Sequence, residues 1–188
     1  MKKFFAALTV LMCLLTASTV LAASADEERR QIDELSNKTL AKLYERYPNA
    51  RYVIQKCYAW ATLSNTGVKV LFIGSAHGRG VAVNNSLGER VYLRMKELSA
   101  GLGIGAKEYD LVFLINTREA WEDFIAGKTR FGASAEAAAD DSVNGTSFEG
   151  AVYVAPAVWV YQMTTKGLAL EATLKGTKIY RDKNLSPY

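Results

Sequence analysis

The chain has 188 residues, of which 49% are hydrophobic and 22% charged, with a formal net charge of +4. That profile fits one ordinary globular domain, long enough to bury a core without staples. It excludes a low-complexity segment, and the lack of an internal repeat excludes a solenoid.

The chain opens on Met1-Lys2-Lys3, an apolar run from Phe4 to Leu15 and small residues thereafter, which reads as a secretory signal peptide over residues 1–22. Val20-Leu21-Ala22 and Ala23-Ser24-Ala25 both suit a signal peptidase, so cleavage after Ala22 or Ala25 is expected, leaving a periplasmic or secreted protein. The apolar core is short for a membrane anchor. Cys13 follows Met12 rather than a small residue, so lipidation is set aside. Loss of residues 1–22 removes Lys2 and Lys3 and leaves 21 basic against 19 acidic residues, a balance of only +2. Cys57 is then the one remaining cysteine, which excludes an internal disulfide and predicts a buried apolar thiol.

From Asp26 to Tyr47 the pattern is helical, with Leu40, Leu43, Tyr44 and Tyr47 on one face and Pro48 as a stop. That face is expected to dock on the core. Asp26, Glu27, Glu28, Asp33 and Glu34 argue against an anionic lipid surface for the helix's first half. Residues 50–188 are expected to form the main domain. Tyr52 to Ala61, Val68 to Ile73 and Gly80 to Val83 read as short strands or buried runs, and residues 84–88 as a loop. Along 90–96 the alternation puts Val91, Leu93 and Met95 on one face and Arg90, Tyr92, Arg94 and Lys96 on the other.

Gly101, Gly103 and Gly105 recur at every second position, so an extended strand here has one bare face that a backbone or ligand can approach. Leu111 to Ile115 reads as a strand buried on both sides. Asn116 and Glu119 look like a capping box opening a helix whose stripe is Trp121, Phe124 and Ile125 and whose stop is Gly127. An Ala-rich stretch (129–139) and a polar loop (140–150) follow. Ala151 to Thr164 is apolar and broken by Pro156, Leu168 to Leu174 alternates like a half-buried strand, and the tail keeps Ile179 and Tyr180. Many short strands with two or three packed helices predict a single α+β domain on a curved antiparallel sheet.

Reactive chemistry finds little support. Gly101, Gly103 and Ala106 match a loose dinucleotide pattern but lead into a strand, and GSAHGRG lacks the Gly-Lys-Ser/Thr ending of a phosphate loop. The single histidine, His77, sits in what reads as a Gly-rich turn and cannot by itself build a triad or a metal site. Asp140, Asp141 and Glu149 read as solvated loop acids, and Asp110, placed before a buried run, as a cap for backbone amides. No catalytic residue, metal or cofactor is expected, nor nucleic-acid binding at this charge.

The run GLGIGAKEYDLVFLINTREAWEDFIAGKTRFGASAEAAA resembles the SYLF domain. That family sets a Gly-rich strand, an Asp-led apolar strand, a short helix ending in Gly-Lys and a G-x-x-A-x-x-A-A segment in this order. FIGSAHGRGVAV upstream and YQMTTKGLALEATLKGTKI downstream extend the likeness over roughly Lys56 to the C-terminus. The sequence departs from the family near Glu89 to Tyr92 and at Asp140 to Gly145. The resemblance implies a non-enzymatic module with affinity for phospholipid or phosphoinositide head groups, and for actin in eukaryotic relatives. Two basic sets are candidates for the contact with anionic phospholipid or a membrane surface. One is Arg90, Tyr92, Arg94 and Lys96; the other is Lys166, Lys175 and Lys178 with Lys128 and Arg130, if the family order brings these segments together. The alternative is an outer-membrane β-barrel or an envelope structural protein, with the short strands counting against a barrel.

Overall fold

The structure is a computed structural model that describes residues 2–70, 73–100, 105–131, 148–164 and 177–186. Among these the elements are α1 (Lys2–Arg46), α2 (Ala50–Lys56), β1 (Ala59–Val70), β2 (Ile73–Asn84), β3 (Arg90–Ala100), β4 (Gly105–Ile115), α3 (Arg118–Ala126), β5 (Val152–Ala155), β6 (Val158–Thr164) and β7 (Thr177–Arg181). All seven strands join one antiparallel sheet in the order β5-β6-β4-β1-β2-β3-β7. The expected single α+β domain on a curved sheet is what is observed.

The curl follows from where the buried residues meet. One cluster draws Val154 from β5, Val160 from β6, Phe113 from β4, Ala61 from β1, Ala82 from β2, Leu93 from β3 and Ile179 from β7, so the sheet wraps around it from edge to edge. Trp121 and Phe124 of α3 fill that concavity, and Phe124 lies 5.2 Å from Phe113 between ring centroids. The convex face carries α1 and α2. Leu43, Val53 and Ile54 pack there against Val112, Leu114, Trp159 and Tyr161, while Ile32 meets Val81, Tyr92 and Leu185. Alternation along each strand thus feeds two cores, which is why Leu111 to Ile115 is apolar without a break.

Several elements differ from expectation. Tyr52 to Lys56 belongs to helix α2, since Ala50, Val53, Ile54 and Cys57 are buried at i, i+3, i+4 and i+7; the β-branched pair and aromatics suggested a strand. The strands around Val68 and Gly80 are not short. β1 and β2 run 12 residues each and pair from Ala59↔Asn84 to Val70↔Ile73, so GSAHGRG is strand, and His77 is paired with Thr66 and Lys96 instead of lying in a turn. Length therefore does not argue against a membrane barrel; the stronger objection is that α1 and α2 cover the convex face where a lipid-facing apolar band would have to be.

The α3 cap is Thr117, whose hydroxyl accepts from the Ala120 amide at 3.2 Å, in place of the expected Asn116–Glu119 box. Gly127 ends the helix in the left-handed region at φ 72°, as expected. Pro156 and Ala157 form the turn between β5 and β6. Gly105 opens β4, whereas Gly101, Gly103, residues 132–139 of the Ala-rich stretch, the acidic pair Asp140 and Asp141 and the expected strand at 168–174 lie outside the described residues. No helix among the described residues is long and apolar enough to cross a membrane.

Candidate functional site: a basic cleft at the β7 edge

β7 pairs with β3 so that Lys96 stands directly opposite Lys178. Like charges facing each other across an antiparallel pair are destabilising, so the pairing is one the fold alone does not favour. Both lysines are exposed, and Lys96 lies 5.9 Å from the ring centroid of Tyr180 in a cation–π contact. The end of α3 closes the other side. A Cβ at Gly127 would sit 3.0 Å from Tyr180 Cβ and 3.1 Å from the Ile179 carbonyl, so glycine here permits both the left-handed turn and the close seat of the helix on β7. Between them lies a cleft of about 580 Å³, with Ile125 and Ala126 as an apolar wall, Tyr180 beside them, and Lys96, Lys178 and Lys183 at the rim. None of these three lysines has an ion-pair partner among the described residues. Such a cleft can accept an anionic group beside apolar surface.

The expected sites are redistributed. Arg90 donates to Asp33 at 2.5 Å, the Tyr92 hydroxyl donates to the same carboxylate at 3.1 Å, and Arg94 Nε donates to Asp182 at 2.5 Å. Burial first, and the Asp33 charge second, raise the Tyr92 pKa, and the hydrogen bond to Asp182 raises that of Arg94. Of that strand face only Lys96 stands free of a carboxylate among the described residues, and it joins Lys178 of the second candidate set. Lys128 and Arg130 line a separate hollow between α3 and the β5–β6 turn, which Glu119 and Asp123 also line. Lys166 and Lys175 lie outside the described residues. Lys183, Tyr180 and the Ile125–Ala126 wall were not singled out in the sequence, because only the β3–β7 register brings them to Lys96.

Asp110 is a structural residue, but as a tie between elements and not as a turn cap. It accepts from Ser64 Oγ at 2.6 Å and from Lys42 Nζ of α1 at 2.9 Å. Cys57 is buried as expected, its Sγ donating to the Ile54 carbonyl at 3.1 Å, and burial pushes its thiol pKa up to about 12. Burial likewise raises the Tyr161 hydroxyl to about 12. Both groups hold their protons more tightly folded than unfolded, so their contribution is complete below pH 9 and is lost as pH rises toward 12. Chemical denaturation at stepped pH is expected to show stability falling from about pH 9 upward, and at pH 8 an aromatic disulfide reagent should label Cys57 only after unfolding.

Residues 96–186 match the family model described as Ysc84, a Las17-binding protein actin regulator. That segment, which holds β3 from Lys96 on, α3 and every lysine of the cleft, is thus similar to the Ysc84 (SYLF) domain, in accord with the motifs in the sequence. Beta cell expansion factor A of Aeromonas veronii is 28% identical over 165 residues, which take in 87% of this chain and 60% of that protein. The chain thus spans about 60% of the length of this relative.

Proposed function

We propose that the chain is an exported, non-enzymatic module that associates with anionic phospholipid head groups through the β7-edge cleft. The observation that carries this reading is the facing pair Lys96 and Lys178 beside an apolar wall, a like-charge arrangement that an arriving phosphate relieves. The α1 contacts from Ala25 to Leu43 lie beyond Ala22, so removal of a signal peptide after Ala22 leaves the docked part of the helix in place. The family description speaks for a second reading, a protein-docking module.

Each lysine near an anionic surface contributes about 1 kcal/mol, so the three together are worth on the order of a hundredfold in partitioning. The test is co-sedimentation with phosphatidylglycerol-containing vesicles against pure phosphatidylcholine. Recovery should be confined to the anionic vesicles, weaken with added salt, and fall about a hundredfold in a Lys96→Gln/Lys178→Gln/Lys183→Gln variant. Unchanged recovery in that variant would remove the cleft as the contact, and no recovery on any vesicle would leave the protein-docking reading.

A further inference from the structure

The two halves of α1 are held to the sheet by different physics. From Leu40 on, the contact is apolar, with Leu43 fully buried and Tyr44 and Tyr47 packed on the same core. From Ala25 to Thr39 it is mostly polar. Ile32 is the one large apolar residue buried in that half among the described residues, and the neighbouring buried positions are Ser36 and Thr39. Ser36 Oγ accepts from Thr62 Oγ1 at 2.7 Å, and Thr39 meets Ser64 at 3.5 Å. The rest is ionic and half exposed: Glu28 with Arg79, Asp33 with Arg90 and Tyr92, and Arg29 Nε donating to the Leu185 carbonyl at 3.0 Å. Exposed ion pairs contribute little and are screened by salt, so this half opens before the rest of the domain.

What it covers is basic. Arg79 on β2 and Arg90 on β3 share the convex face with Lys96, and through Lys96 that face continues into the cleft. Arg94 stays tied to Asp182, which belongs to the chain's end and not to α1. We propose that residues 25–39 of α1 are a strap whose carboxylates occupy an anion-binding face, and that an anionic phospholipid surface displaces it to enlarge the contact begun at the cleft. This rests on the lipid reading above, since it assigns that site its regulation. The partner is specified by charge complementarity: Glu28 and Asp33 are replaced by phosphates on the same two arginines, and the uncovered Val81 and Tyr92 provide apolar area next to them.

The 2.7 Å approach of Ser36 and Thr62 gives a way to lock the strap. A full-length Ser36→Cys/Thr62→Cys protein in a Cys13→Ser/Cys57→Ser background is compared oxidised and reduced on phosphatidylglycerol vesicles. The oxidised form should be recovered about thirtyfold less than the reduced form, as two guanidinium contacts at about 1 kcal/mol each imply. A second variant, Glu28→Gln/Asp33→Asn, weakens the strap without a crosslink and should raise recovery, with amide exchange over 25–39 accelerating while that over 40–46 does not. Equal recovery of oxidised and reduced protein, together with unchanged recovery of the neutralised variant, overturns the strap and leaves lipid association standing. Failure of every form to sediment, the reduced parent included, overturns the lipid reading and the strap with it.

Discussion

Replacing Phe124 with alanine is expected to remove about 4 kcal/mol of stability, which for a chain of this size lowers the melting temperature by roughly 8 to 16 °C. The side chain is fully buried, 5.2 Å from the Phe113 ring and 6.3 Å from that of Phe131, so its loss opens a cavity in the core between α3 and the sheet. The consequence reaches the site. Phe124 and Trp121 are the buried anchors of α3, and the same helix presents Ile125 and Ala126 to the cleft. Recovery on anionic vesicles should therefore fall along with stability, while Phe124→Leu, which refills most of the volume, should retain both more nearly. Urea denaturation followed by tryptophan fluorescence measures the first effect and sedimentation the second. A loss under about 1 kcal/mol would mean that α3 is not seated in the concavity at all, since that is the range of an exposed substitution.

The difference between what the sequence discloses and what it hides is a matter of range. α3 is legible because everything that defines it is local: an apolar stripe of Trp121 and Phe124, a cap one residue from the expected one, and Gly127 to end it. The two faces of β3 are legible for the same reason, and Val91, Leu93 and Met95 are indeed the buried ones. The fate of the opposite face is not, because the carboxylates that neutralise Arg79 and Arg90 come from α1 and the one that holds Arg94 follows β7. Arg90, Arg94 and Lys96 look equivalent along the chain. Only the packing of distant elements makes Lys96 the free one and seats it across from Lys178. The acids of α1 count against a lipid-bound helix when the sequence is read alone; in the fold two of them, Glu28 and Asp33, pair with Arg79 and Arg90 on the sheet.

Glycines misled in a different way. Gly74 and Gly78 suggest a turn because turns are where backbone freedom is most often needed, yet they lie with Gly80 in a continuous β2. Gly80→Ala is expected to be the most damaging small substitution in the sheet, costing about 3 kcal/mol or more by forcing strand backbones apart. A Cβ at that position would lie 1.8 Å from the Thr62 carbonyl oxygen and 2.8 Å from the Thr62 carbonyl carbon, in a strand whose own backbone is hydrogen-bonded on both sides. Space, not torsional freedom, is what glycine supplies here, and it does so where the sheet curls: Ala59, Ala61, Gly78, Gly80 and Ala82 keep the concave side of β1 and β2 thin. The comparison that isolates this cause is Gly88→Ala. Gly88 has φ 66° in the β2–β3 loop with nothing within 4 Å of its would-be Cβ, so alanine there meets strain without a clash and should cost only about 1 kcal/mol. Thermal unfolding of the two variants side by side should show a several-fold larger loss at Gly80. If the two losses were equal, the close approach of β1 to β2 would not be what sets the curl, and the concave core that holds α3 against the cleft would need another cause.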